Sequence, residues 1–227
     1  MEVDRQSEKE FKDRLYEQFA SICKAFGNPL RFQIMELLSQ GEHSVEEVAR
    51  ELEISVANAS QHLQVLRAAR VVSVRRVGVW IYYSLASHRI FHLLYLARTL
   101  AEENLPDVKR ILEEYLPHRQ QEDMVGFQDL FEILNSETAS VVDVRPEAEF
   151  RAGHICGANS LPLGVLADQL DKLPVDKPIV VTCRGPYSLL SDRAVAFLRM
   201  QGYEARRFEQ GFPEWRLKDY PVTSSRD

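Results

Sequence analysis

Apolar residues recur at three- and four-residue spacing through the first half of the chain. In the second half, short apolar runs alternate with helical stretches. Residues 11–26, FKDRLYEQFASICKAF, set Phe11, Leu15, Phe19, Ile22 and Phe26 on one stripe, which predicts an amphipathic helix. GNPLRFQIMELLSQG opens with Asn28 as N-cap and Pro29 at the first helical position, and closes at Gly41. Ser44 to Glu47, SVEE, is a capping box that starts a third helix. Ser55 caps a fourth, VANASQHLQVLRAAR. VVSVRRVGVWIYYSL then predicts two strands joined around Gly78. HRIFHLLYLARTLAEENL is a long helix whose Ile90, Phe91, Leu93, Leu94, Leu96, Ala97 and Leu100 cover more of its circumference than a surface helix needs.

The pattern changes after Pro117. HRQQEDMVG is polar and ends in Gly126. FQDLFEIL, GVLADQLDKL and LLSDRAVAFLRMQG then predict helices, SVVDVR, PIVVTC and YEARRF predict strands, and GFPEWRL starts another helix. Alternating α and β elements over about 100 residues imply a parallel sheet flanked by helices. The expected fold class is therefore two domains, a mainly α unit over residues 1–118 and an α/β unit over 126–227, with a linker at 119–125.

Composition narrows the class. Charged residues are 27% and hydrophobic ones 45%, a globular mix. No apolar run approaches the ~20 residues that span a bilayer, and the polar N-terminus has no secretory core. A cytoplasmic protein with no membrane partner is expected. Cys23, Cys156 and Cys183 are widely spaced and suggest no disulfide framework. The net charge of −6 gives no general attraction to nucleic acid, but it is unevenly spread. Residues 50–89 carry six arginines against Glu51 and Glu53, a local +4.

That basic stretch coincides with the order helix, turn, helix, hairpin. Such a pair lays its second helix in the major groove. In SVANASQHLQVLR, Ala59, Leu63 and Leu66 face the core. The expected DNA-binding set is Ser55, Asn58, Ser60, Gln61, His62, Gln64 and Arg67, with Arg75 and Arg76 on the wing. Asn and Gln pair bidentately with adenine, and the arginines suit phosphates. KAFGNPLRFQIMELL, ISVANASQHLQVLRAARVVSVRRVGVWIYYSL and the apolar last helix resemble the ArsR-type (arsenic-repressor-like) winged helix-turn-helix regulators over about residues 11–116. The resemblance implies a homodimer, built from the first and last helices, that represses by binding palindromic operator DNA. The apolar excess of residues 90–100 independently asks for a partner surface.

Many such regulators release DNA when a metal binds cysteines in the third helix or His and carboxylate groups in the last. Here HSVEEVARE has no cysteine, and His88 and His92 have no second pair at the family's spacing, where Arg98, Thr99 and Glu102 stand. No metal and no cofactor are expected. His43, His62 and His118 are isolated, which favours surface or hydrogen-bonding roles. Cys23, on an apolar stripe, is expected to be a buried small hydrophobe.

The α/β half ends its VVTC strand in Cys183, followed by Arg184, Gly185, Pro186, Tyr187 and Ser188 and then a helix. Open α/β sheets bind ligands at such strand ends. Loop N–H groups, the helix dipole and Arg184 all favour thiolate, so a depressed Cys183 pKa is expected. Phosphatase chemistry needs Cys-x5-Arg, but the sixth residue on is Leu189. Protease chemistry needs a histidine base, and nothing places His154 near Cys183. Sulfur transfer needs neither, since a thiolate accepts sulfane sulfur as a persulfide and hands it to a nucleophile.

VVDVRPEAEFRAGHICGANSLPL and PIVVTCRGPYSLLSDRAVAFLRMQGYEARRFEQGFPEWRLKDYPV resemble a single rhodanese (thiosulfate sulfurtransferase) domain over about residues 124–223. The resemblance implies Cys183 as sulfur carrier, with 184–188 completing its loop. It also implies a small sulfane-sulfur donor and a thiol or cyanide acceptor. Asp143 and Arg145 are expected to be scaffold, and Ser188 to cap the helix. Cys156 stands where the family has proline, either as a buried small residue or as a resolving thiol. The reading is a DNA-binding regulator whose rhodanese domain transfers or senses reactive sulfur. Two alternatives stay open, a sulfurtransferase whose N-terminal half only dimerises and a regulator with a catalytically inactive pocket.

Overall fold

Three local caps set the helices of the first half. The Asn28 side chain accepts from Arg31 N at 3.1 Å, and with Pro29 at its first position helix α2 runs Pro29–Leu38. It stops before Gly41, because Ser39 already turns its N–H and Oγ back on the last carbonyls. Ser44 and Glu47 form a reciprocal capping box (3.2 and 2.7 Å) that starts α3, Val45–Glu51. Ser55 Oγ accepts from Asn58 N at 3.2 Å and starts α4, Val56–Ala68. Each such cap is worth about 1 kcal/mol.

A computed structural model describes residues 5–116 and 124–224 and divides the chain into two units between Leu94 and Tyr95. The first unit opens with α1, Arg5–Phe26, of which only Ala25 is buried. Strands β1 (His43–Ser44), β2 (Val72–Val77) and β3 (Trp80–Leu85) form an antiparallel sheet in the order β1-β3-β2. The β2–β3 hairpin closes at Val77 opposite Trp80, with Gly78 at φ +60, a conformation that costs glycine little. Ile34, Met35, Val48, Ala59, Leu63 and Leu66 make the core. Helix α5, His88–Asn104, buries Phe91 and Leu94.

The division at Leu94 falls inside α5, so its last ten residues, 95–104, belong to the second unit. Helix α6, Pro106–Tyr115, follows; its start is marked by Pro106 at the first position. The expected linker lies largely outside the described residues, as does His118.

In the second unit β4 (Met124–Val125), β5 (Ser140–Asp143), β7 (Asn159–Ser160), β8 (Ile179–Thr182) and β9 (Ala205–Phe208) form one parallel sheet, ordered β4-β9-β8-β5-β7. Successive valines face opposite layers. Val142 and Val181 join Leu166, Ala194 and Leu198 on one side, while Val141 and Val180 join Leu130, Phe208 and Trp215 on the other. Burying each valine contributes roughly 1.5–3 kcal/mol. Helices α7 (Phe127–Ser136), α8 (Glu147–Ala152), α9 (Leu189–Met200) and α10 (Phe212–Leu217) cover the sheet with a 3-10 segment, Leu163–Lys172, which is kinked at Gln169. A short pair, β6 (His154–Ile155) with β10 (Val222–Thr223), ties the chain end to the layer of α10.

The expected scaffold pair is fully buried. Arg145 meets Asp143 at 2.7 Å, donates to the Gly153 carbonyl at 2.8 Å, and stacks on Phe212 at 4.6 Å. Gly153 leaves room for that ring, since a Cβ there would lie 2.7 Å from Phe212.

Candidate functional site

Helix α4 presents a two-sided pattern. Ala59, Leu63 and Leu66 are fully buried. Ser55, Gln61, Gln64 and Arg67 are exposed, and Asn58, Ser60 and His62 half-buried. Gln64 Nε2 donates to Ser60 Oγ at 3.4 Å, and His62 Nδ1 is a buried atom without a hydrogen-bond partner. On the wing Arg75 and Arg76 are both exposed, but in different states. Arg75 is gripped by Glu42 at 2.5 Å and stacks over Tyr82 at 5.3 Å, whereas Arg76 makes no ion pair among the described residues. Hydrogen bonding and charge from Glu42 hold the Arg75 pKa above its ordinary value.

Cys183 stands directly after β8, the middle strand of the parallel sheet, and is fully buried. Its thiol donates to the Gly185 carbonyl at 3.6 Å. The loop is fixed at both ends. Phe212 N donates to the Cys183 carbonyl at 3.2 Å, and Ser188 Oγ accepts from Leu190 N at 3.4 Å to cap α9. Ser188 N donates to the Gly185 carbonyl at 3.2 Å, and buried Arg207 donates to the Pro186 carbonyl at 3.2 Å. Arg184 turns to the buried Glu149, with Nε 3.0 and 3.1 Å from the two carboxylate oxygens, so that carboxylate takes up its charge.

The loop backbone rests on Gly211. A Cβ there would lie 2.5 Å from the Arg184 carbonyl carbon, so glycine is the residue that permits this approach. Beside it sits Glu214, whose carboxylate accepts from Gly211 N at 3.0 Å. A Cβ on Gly185 would be 3.6 Å from Glu214 Oε1, so this carboxylate borders the Cys183 loop. Its countercharge comes from α5, where Arg98 Nη2 donates to Oε1 at 2.9 Å. Burial pushes the Glu214 carboxyl above its ordinary value, and Arg98 pulls the other way. Arg98 also stacks over Tyr187 at 5.5 Å, and the Tyr187 hydroxyl donates to Glu102, one turn further along α5.

The structure thus brings together Cys183, the five loop residues and three groups the sequence did not single out for the site, Arg98, Glu102 and Glu214. Arg98 and Glu214 are 116 positions apart, so no local signal links them. Cys23 is exposed, against the expected burial, and Cys156 is exposed as well, against the buried one of its two readings. Cys156 bonds through its backbone to the Pro221 carbonyl at 3.2 Å, while α1 lacks a layer over the stripe that carries Cys23. Among the described residues no cluster of three or more His, Cys, Asp or Glu is placed to hold a metal ion, and no helix is long and apolar enough to cross a membrane.

Residues 28–74 match the family model for bacterial regulatory proteins of the arsR family, and residues 127–218 match the rhodanese-like domain. The HTH-type transcriptional regulator Rv0324 of Mycobacterium tuberculosis is 37% identical over 211 residues, covering 93% of this chain and 92% of its own. The solution structure of a homodimeric winged helix-turn-helix DNA-binding domain from Mycobacterium bovis, a possible ArsR-family regulator, is 36% identical. It covers 42% of this chain and 89% of its own, with a TM-score of 0.40. A rhodanese-related protein from Thermoplasma volcanium is 30% identical over 44% of this chain and 96% of its own, also at a TM-score of 0.40.

Proposed function

The chain belongs to the arsR family of bacterial regulatory proteins and carries a rhodanese-like domain behind its winged helix; from that premise we propose that it binds operator DNA as a homodimer and accepts sulfane sulfur on Cys183. The observation that carries the sulfur reading is the position of Cys183, at the end of the central strand in a loop anchored on both sides. As the thiolate, Cys183 attacks the outer sulfur of a donor such as thiosulfate. A Cys–S–S bond forms, the donor's S–S bond breaks, and sulfite leaves with the electron pair. Cyanide or a thiol then takes the outer sulfur and returns the thiolate.

DNA binding rests on the outward polar face of α4 and on Arg76. Dimerisation is supported by the apolar groups that α1 and α5 leave open, among them Phe11 at 63%, Phe19 at 56% and Leu100 at 59% exposure. Intact mass after treatment with polysulfide tests the reading. In a background with Cys23→Ser and Cys156→Ser, one added sulfur, about 32 Da, should appear and be absent once Cys183→Ser is added. A parent that stays unmodified overturns the sulfur reading. A loaded parent that passes nothing to cyanide or a thiol reduces it to a sensor.

A further inference from the structure

The proposed persulfide raises the question of where its formation is felt. The Cys183 thiol donates to the Gly185 carbonyl and is fully buried. An added sulfur sits about 2.05 Å beyond Sγ and brings negative charge in place of a donor proton. That charge arises beside the Gly185 carbonyl, and Gly185 itself borders the Glu214 carboxylate. The loop ends are held by Phe212 N and by the α9 cap, so the adjustment falls on Gly185 to Tyr187.

Two side chains of α5 touch what must move. Arg98 holds Glu214 at 2.9 Å and lies on the Tyr187 ring, and Glu102 accepts the Tyr187 hydroxyl. Arg98 is 11% exposed and Glu214 2%, so their pairing is shielded from solvent. The same unbroken helix begins at His88 and buries Phe91 and Leu94 in the unit that holds α4.

We propose that α5 reads the sulfur state of Cys183 through Arg98 and Glu102, which act as positioning residues for the loop and make operator affinity depend on persulfidation. The inference rests on sulfur acceptance by Cys183. The persulfide pushes Tyr187 away from Glu102 and strains the Glu214 contact, so α5 loses two anchors and operator affinity falls.

The test uses the full chain, polysulfide as donor, intact mass as the loading readout and operator titration as the response. In the parent, loading should lower operator affinity by at least about fivefold, the lower end of ordinary coupling. Glu102→Ala should load Cys183 equally and respond by less than about twofold. Arg98→Met could leave Glu214 buried without its cation and fail to fold. The double variant Arg98→Met with Glu214→Gln removes both charges and should also load without responding. Arg98→Lys, which keeps the charge, should restore the response, which a merely structural role would not require. A parent that loads sulfur without losing affinity overturns the coupling, as does a full response in Glu102→Ala and the double variant. Absence of loading in the parent overturns the sulfur reading itself.

Discussion

Glu42 holds one edge of the Arg75 guanidinium, with Nη2 2.5 Å and Nε 3.0 Å from the same carboxylate oxygen. The wing therefore offers two arginines of unequal availability. Arg76→Ala should flatten the salt dependence of DNA binding by about one unit, as for one lost phosphate contact, and Arg75→Ala should flatten it by less. Glu42→Gln releases Arg75 and should strengthen binding on all sequences. Fluorescence titration at several salt concentrations separates the three. Equal slopes for the two alanine variants would show that Glu42 gives Arg75 up on binding.

Cys183→Ser should abolish sulfur acceptance, because a hydroxyl forms no persulfide, while Cys23→Ser and Cys156→Ser keep it. The serine hydroxyl is shorter than the thiol and is buried 3.6 Å or more from the Gly185 carbonyl, so the exchange should cost about 1–3 kcal/mol. Circular dichroism melting alongside mass spectrometry checks both halves. An unfolded variant would give the thiol a packing role beyond its chemistry.

Gly211→Ala pushes a methyl group into the Arg184 backbone, 2.5 Å from its carbonyl carbon. Overpacking of this kind costs about 1–3 kcal/mol, and each kcal/mol lowers Tm by about 3–5 °C in a unit of this size. The same shift displaces the loop, so sulfur loading should slow as well. Gly164→Ala is the control, since a Cβ there meets nothing within 4 Å, and it should leave both readouts near the parent's.

Burial holds the Glu214 carboxyl above its ordinary value of 4.5 despite Arg98. Just above that pH the folded chain keeps a proton that the unfolded chain has released. Stability tied to this group is therefore fullest below the ordinary value and declines as pH rises toward the folded one. Glu214→Gln removes the titration, so its stability relative to the parent should improve as pH rises through this window. Thermal melts from about pH 4 to about pH 8 test this, and a constant difference between the two proteins would assign the carboxyl no net shift.

The parts legible in the sequence are those written in neighbouring residues. Asn28, Ser44 and Ser55 cap helices with their own side chains, and the alternation of Val141 with Val142 and Val180 with Val181 declares a sheet buried on both faces. Helix α6 had a signal in Pro106, but its short apolar face was overshadowed by the longer helix before it. Strands of two residues such as β6 and β10 exist only because a partner pairs with them. The apolar stripe of α1 reads the same whether it faces a core or lies open, which is why Cys23 was expected to be buried. Pairing of Arg184 with Glu149, or of Arg98 with Glu214, depends on the chain returning from far away, and no local pattern encodes it.

That α5 is shared between the two units bears on portability. A rhodanese-like fragment cut out where the composition changes, near residue 118, leaves Arg98 and Glu102 behind. Glu214 would then lose its cation together with the helix that lies on its carboxylate. Grafting the second half onto another regulator would fail for the same reason unless the end of α5 travels with it. A transferable fragment that keeps the Glu214 ion pair therefore starts before Arg98, not where the composition changes.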